Sequence, residues 1–232
     1  TNVSTLAQDD GSLNVFIGTG QALVVGANYN RLGVTNGLAA DQKEIVIQQS
    51  SGVQVNVTQQ LTGGSFGGML RFRDEVLNPA HNALGRVALG ISSFMNAEHN
   101  TGIDLDGQLG GDLFAASSAP WVLGADNNLT ASFSSVSDLT THEYQVDYDG
   151  SNWTMRDLTT GSNVPLTVTV SGTTATLAPT AGSLGFTMTV ADTTAASSGD
   201  SYLIRPTRQG ASDIGVLITN ERDIAAADPL IT

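Results

Sequence analysis

The stretch FGGMLRFRDEVLNPAHNALGRVALGISSFMNAEHN, Phe66 to Asn100, is the helical interruption in a chain whose other segments read as short β-strands. The proline that follows Asn78 disfavours the α region at that residue, so a first helix is expected to stop there. Asn78-Pro79 then supplies an N-cap and a first-turn proline for a second helix, and two helices meet at a joint. The second is expected to run to about Asn100, with Gly102 as its stop. Leu77, Ala80, Leu84, Val87, Ile91 and Phe94 recur at spacings of three and four; Ala88 and Met95 widen the stripe, while Asn82, Arg86, Ser92 and Asn96 take the other side. Such a heptad-like seam fits an ordinary core helix, or a surface for helices outside this sequence. Gly85 and Gly90 each cost about 1 kcal/mol relative to Ala inside a helix, which implies that another backbone comes close there.

Upstream, Val3 to Val25 reads as a β-meander, with turns at Asp9-Asp10-Gly11 and Gly18-Thr19-Gly20. After a polar loop, EIVIQ and VQVNV form a second pair joined by Ser50-Ser51-Gly52. Short β-branched runs with glycine turns between them are the hairpin signal. Downstream, from Leu113 to about Gly199, segments such as HEYQVDY, NWTMRDL, PLTVTV, TATLA and FTMTV succeed one another at hairpin spacing, as in a sandwich or barrel. GDSYLIRPT and DIGVLIT add two strands, and NERDIAAADP is expected to turn helical before Pro229. The fold class is therefore mainly β with α (α+β): antiparallel hairpins plus a two-helix segment, with an inserted all-β sandwich or barrel-like domain. Residues 1–111 and 200–232 form the β-plus-helix part, and 112–199 the insert.

Composition narrows the function. A net charge of −13 and a pI near 4.2 oppose capture by nucleic acid or an anionic bilayer. Without cysteine there is no disulfide, zinc-thiolate or thiol chemistry. No apolar run approaches the roughly 18 residues of a membrane-spanning helix.

Candidate chemistry is thin. GIDLDGQLGGDLF, Gly102 to Phe114, has the aspartates and glycines of a calcium loop, but not the ligand spacing of an EF-hand or of a GGxGxD repeat. A solvated turn whose aspartates accept backbone N–H bonds is the plainer reading. GGSFG, Gly63 to Gly67, fits G-x-S-x-G with Ser65 as a serine hydrolase nucleophile. That fold, however, needs a parallel sheet and a late histidine, and only His81, His99 and His142 are present. The plainer role for Ser65 is an N-cap. His142 beside Glu143 reads as a surface pair. Trp121, Tyr144, Tyr148 and Trp153 are either a carbohydrate-binding groove or core and cross-strand pairs. Sequons at Asn2, Asn56, Asn128 and Asn152 mark exposed sites at best.

The order of three segments resembles the FlgK family of flagellar hook-associated proteins. DDGSLNVFIGTGQALVVG is similar to the family's early hairpin, and LTGGSFGGMLRFRDEVLNPAHNALGRVALGISSFMNAEHNTGIDLDGQLGGDLF to its most recognisable stretch. GDSYLIRPT and RDIAAADP are similar to its return into the helical core. The resemblance implies that GIDLDGQLGGDLF is the loop leaving the long helix for the outer β domain. It further implies a structural subunit of the bacterial flagellum at the hook–filament junction, exported through the flagellar type III channel without a cleaved signal peptide and located extracellularly. No enzyme activity, cofactor, metal or catalytic residue is implied. The expected partners are other copies in a ring, the hook protein and the second junction protein. The long terminal helices are expected outside this sequence, leaving the fragment monomeric. The alternatives are a surface adhesin or a carbohydrate-binding β module.

Overall fold

The computed structural model describes residues 3–39, 42–49, 51–124, 126–180 and 183–227. Contacts divide the chain into two units, Thr1–Asn78 and Pro79–Thr232.

The first unit opens with β1 (Val3–Ala7), β2 (Leu13–Ile17), β3 (Gln21–Val25) and β4 (Asn28–Tyr29), an antiparallel sheet in chain order. β5 (Arg31–Asn36), β6 (Lys43–Gln48) and β7 (Gln54–Asn56) form a second sheet, also in chain order. β5 lies where the sequence suggested a polar loop. RLGVTN carries two large apolar residues, and both Leu32 and Val34 face solvent, so no buried face marks it as a strand. Of the turn at Ser50-Ser51-Gly52, Ser50 lies outside the described residues. The unit's core is small: Ile17, Ile47, Val57 and Leu61, with Leu23, Ile45 and Leu70 against them.

Helix α1 (Gly64–Phe72) passes without a break through a π-helical turn, Arg73–Leu77, into α2 (Asn78–His99). The expected stop at Asn78 is therefore corrected: its φ and ψ of −63° and −48° are helical, and its N–H donates to the Arg73 carbonyl. Pro79 cannot donate, and its ring crowds the carbonyl four residues earlier. Widening the ladder to i→i+5 just before it relieves that crowding, as π-turns commonly do inside helices.

The second unit continues with β8 (Phe114–Ala115), β9 (Trp121–Gly124), β10 (Leu129–Phe133), β11 (Tyr144–Tyr148), β12 (Trp153–Asp157), β13 (Asn163–Val164), β14 (Leu166–Ser171), β15 (Thr174–Pro179), β16 (Phe186–Val190) and β17 (Ser201–Arg205). The short helix α3 (Gly210–Asp213) and β18 (Gly215–Val216) follow. Two antiparallel sheets carry the mass, ordered β10-β16-β15-β14 and β13-β12-β11-β17-β9, while β18 pairs with β8. Both large sheets supply one core. Leu129, Leu177, Phe186 and Met188 come from the first, and Tyr144, Val146, Met155, Tyr202 and Ile204 from the second. The fold is thus α+β, mostly sheet with one two-part helix. β17, beyond the boundary expected at 199/200, lies between β11 and β9 and carries the all-β part on through Arg205. The helix expected over NERDIAAADP is a 3₁₀ turn, Glu221–Asp223, capped by the Asn220 side chain; Ala227 then bridges to Ile103. Asp228 and Pro229 of that segment lie outside the described residues.

Candidate assembly interface

Helix α2 is laid on its unit by its polar residues. Asn78, Asn82, Gly85, Leu89, Ser92 and His99 are buried and Asn96 is half-buried, a row at alternating spacings of four and three. Leu89 alone of these enters the β core. The Asn96 amide oxygen accepts the N–H groups of Leu113 and Phe114 at 3.0 and 2.8 Å, and its Nδ2 donates to the Phe114 carbonyl at 2.8 Å. Asn82 Nδ2 donates to the Thr141 carbonyl and to Glu143 Oε1 at 3.0 and 3.2 Å. The same Glu143 oxygen pairs with the buried Arg205 Nε at 3.2 Å, and the guanidinium lies over the Trp121 ring. Ser92 returns its hydroxyl to the Ala88 carbonyl, one turn back. Most of this polar row is buried at tolerable cost because Asn82 Nδ2, Ser92, Asn96 and His99 each find a partner, while Asn82 Oδ1 is buried without one.

His99 closes the row. Its Nε2 accepts the Ala225 N–H at 2.9 Å, so that nitrogen carries the lone pair, and Nδ1 donates to the Gly111 carbonyl at 2.7 Å. One imidazole therefore ties together the helix end, the loop and the returning tail. The loop itself is a compact turn: the Asp104 carboxylate accepts from the N–H groups of Asp106 and Gln108, Gly107 has φ +76°, and Ile103 bridges both Leu109 and Ala227. Asp106 pairs with Arg222 and Asp112 accepts from Asn100, so Asp104 accepts backbone N–H groups as the plainer reading expected, while the other two carboxylates bond to side chains. Gly102 is no left-handed helix stop; a Cβ there would lie 2.6 Å from the Ala225 carbonyl oxygen. Gly85 meets the backbone of Thr207, as its place in a helix implied, whereas Gly90 has nothing within 4 Å of its missing Cβ.

With the polar row anchored, the apolar stripe is left in solvent. Leu84, Val87, Ile91 and Phe94 are 48–64% exposed, Met95 and Ala80 are also exposed, and only Ala88 of that stripe is buried. Of the residues the sequence set opposite that stripe, Asn82, Ser92 and Asn96 are on the docked side, whereas Arg86 is exposed. The sequence signal for this lay in the heptad spacing of Asn78, Asn82, Gly85, Leu89, Ser92, Asn96 and His99, which is as regular as that of the apolar residues. Helix α1 separately exposes Phe66, Met69 and Phe72.

The remaining candidates fall elsewhere. Ser65 is the second residue of α1, and the N-cap is Gly63, whose backbone is extended and whose position lacks a side-chain bond. No histidine belongs to its unit. His142 is not paired with Glu143 at a surface: its Nδ1 meets Asp157 Oδ2 at 2.7 Å, while Glu143 is turned to Asn82 and Arg205. Burial opposes ionisation of Asp157, but the N–H groups of Thr160 and Thr159 and the His142 ring outweigh it and hold the carboxyl below its ordinary value. The four aromatics do not converge. Tyr144 is core, Trp121 lies under Arg205, and Tyr148 and Trp153 stack on each other at 4.6 Å. Among the sequons, Asn56 and Asn152 are exposed, and Asn128 is half-buried and clamps the backbone of Asp192; Asn2 lies outside the described residues.

Comparison with known proteins adds the following. Residues 1–114 match a family model described as the flagellar hook-associated protein FlgK helical domain, and residues 123–206 match the flagellar hook-associated protein 1, D2-like domain. The chain is 31% identical over 237 residues to flagellar hook-associated protein 1 of Salmonella typhimurium, spanning 97% of this chain and 40% of that protein. For the protein of that name from Escherichia coli K12, identity is 28% over 233 residues, spanning 97% and 41%. Among solved structures, the flagellar hook junction protein FlgK from Burkholderia pseudomallei aligns with a TM-score of 0.83 and 33% identity, covering 98% of this chain and 42% of that one. The chain thus spans about two fifths of the length of these relatives.

Proposed function

Because the chain belongs to the FlgK family of flagellar hook-associated proteins, we propose that it is a structural part of the bacterial flagellum, acting at the hook–filament junction and supporting filament assembly without catalysis. The observation that carries this reading is the reversed helix α2, whose hydrogen-bonding row faces its own unit and whose leucine, valine, isoleucine and phenylalanine row faces outward. Apolar residues at heptad spacing are placed to receive another helix. The expected occupants are the long terminal helices outside this sequence, and through them a ring of copies, the hook protein and the second junction protein. Export through the flagellar channel and an extracellular location go with this reading.

In this arrangement residues 1–111 and the tail after β17 make the axial part, and 112–199 together with β17 the outer part. Two sheets that share one core, β10-β16-β15-β14 and β13-β12-β11-β17-β9, support reading the outer part as a sandwich. At low micromolar concentration the chain alone should sediment as a monomer, and at no concentration as a ring. The test is deletion of the gene, followed by electron microscopy of the cells and assay of flagellin in the medium. Bare hooks with flagellin lost to the medium, restored by the intact gene but not by one carrying Val87→Lys and Ile91→Lys, are expected. Normal filaments on the deletion strain would refute the assignment. Full rescue by the lysine variant would refute the role of the stripe.

A further inference from the structure

Strand β14, LTVTVS, lies at one side of its sheet and pairs with β15 alone among the described residues. The Thr180 N–H donates to the Pro165 carbonyl at 2.9 Å, just before Leu166 faces Pro179. Antiparallel pairs alternate between bonded and non-bonded. Thr167, Thr169 and Ser171 therefore bond to β15, while Leu166, Val168 and Val170 turn their N–H and C=O groups outward. Those three share a face with Leu177 and Ala175, the buried neighbours across from Val168 and Val170. Val168 and Val170 extend that core-facing row into solvent, at 42% and 61% exposure. Exposed sheet edges are ordinarily guarded by charge, proline or a bulge. Here no residue from Leu158 to Ala191 is charged, and Pro165 stands before the strand and not within it.

We propose that β14 is a self-association edge, to which a second copy of this chain adds its own β14 antiparallel, with Val168 directly opposite the partner's Val168. Self-complementarity selects this occupant. In the register centred on Val168, Leu166 faces the partner's Val170, and every outward N–H and C=O of Leu166, Val168 and Val170 finds a partner. The same register aligns the apolar residues in one row and sets Thr167 against the partner's Thr169 on the other face, pairs that favour sheet formation. Charge points the same way. Two copies that each carry −13 repel, and an uncharged edge is where they approach at least cost. Such a contact is isologous, so it joins free chains or separate assemblies and not rotational neighbours within one ring. Two six-residue strands bury less than the roughly 1,200 Å² of stable interfaces, so the dimer is weak and concentration-dependent.

The absence of cysteine makes the register directly testable. Facing residues of a bonded antiparallel pair have Cα atoms about 5.5 Å apart, within disulfide reach. At high protein concentration under mild oxidant, Val168→Cys should form covalent dimer about tenfold faster than Val170→Cys or the exposed control Val34→Cys. Sedimentation equilibrium of the unmodified chain, from low micromolar to about 1 mM, should show a monomer–dimer equilibrium that Val168→Lys abolishes and Val87→Lys leaves intact. Circular dichroism checks that each variant folds, which these exposed positions permit. The proposal is overturned by any one of three results: a chain that stays monomeric throughout, a dimer that survives Val168→Lys, or Val168→Cys cross-linking no faster than the controls.

Discussion

Gly85 and Gly90 lie five residues apart on α2, and Ala at each should change stability in opposite directions. Helix propensity alone favours Ala by about 1 kcal/mol at both. At Gly85, however, the new Cβ would overlap the Thr207 carbonyl oxygen and lie 2.8 Å from its carbon. Carbon atoms need about 3.5 Å, and the obstruction is backbone on both sides, so α2 would have to withdraw by about 1 Å or more. That movement stretches the 3.0 Å bond from Asn82 to Thr141 past hydrogen-bonding range and loosens Leu89 in the core. An orphaned buried amide costs about 1–3 kcal/mol and strained packing a similar amount. Gly85→Ala should therefore destabilise by about 2–4 kcal/mol after the propensity gain. Gly90→Ala, with nothing within 4 Å, should stabilise by about 0.5–1 kcal/mol. Both tryptophans, Trp121 and Trp153, belong to the unit Pro79–Thr232, so urea unfolding followed by tryptophan fluorescence reports on that unit. A Gly85→Ala midpoint at or above wild type would refute the reasoning.

Three further outcomes are expected. Asn96→Ala leaves the N–H groups of Leu113 and Phe114 without their acceptor; it should cost about 1–3 kcal/mol and abolish slow hydrogen exchange at those two amides. Glu143→Leu takes the carboxylate from its ion pair with the buried Arg205 and should cost about 3–5 kcal/mol, whereas the double change Glu143→Leu with Arg205→Met should cost clearly less; a double-mutant cycle with no coupling would contradict the pair. Asp157 has a folded pKa below its unfolded value, so its ionised form adds stability that is complete above about pH 4 and lost as pH falls through the folded value. Asp157→Asn should therefore flatten the acid limb of the stability–pH curve, and an unchanged limb would show that the carboxylate contributes nothing.

Much of the fold could be read from local chemistry. Glycine turns between β-branched runs located the hairpins, and a 3.6-residue period located the long helix, because both reflect backbone constraints carried by nearby residues. The orientation of α2 could not be read that way. Hydrophobicity ranks Leu84 and Phe94 above Asn82 and Asn96, but Asn96 docks by completing the backbone bonds of Leu113 and Phe114, which lie on another segment. Asn78-Pro79 misled for a related reason: the proline rule assumes an α ladder, and the π turn Arg73–Leu77 evades it. Glu143 and Arg205, more than sixty residues apart, give no local sign of their pairing. The loop from Gly102 was right in kind, a turn shaped by aspartates and glycines, but its clasp on the tail through His99 and Ala225 was silent.

The outward apolar row of α2 has a consequence for how mutational tolerance is measured. A saturation library of this chain scored by solubility or protease resistance would rate Leu84, Val87, Ile91 and Phe94 as freely replaceable, and would reward lysine or glutamate there. The same library scored by swimming would rank those sites among the least forgiving. Any attempt to optimise the isolated chain by stability selection would thus steadily erase the surface proposed here for assembly.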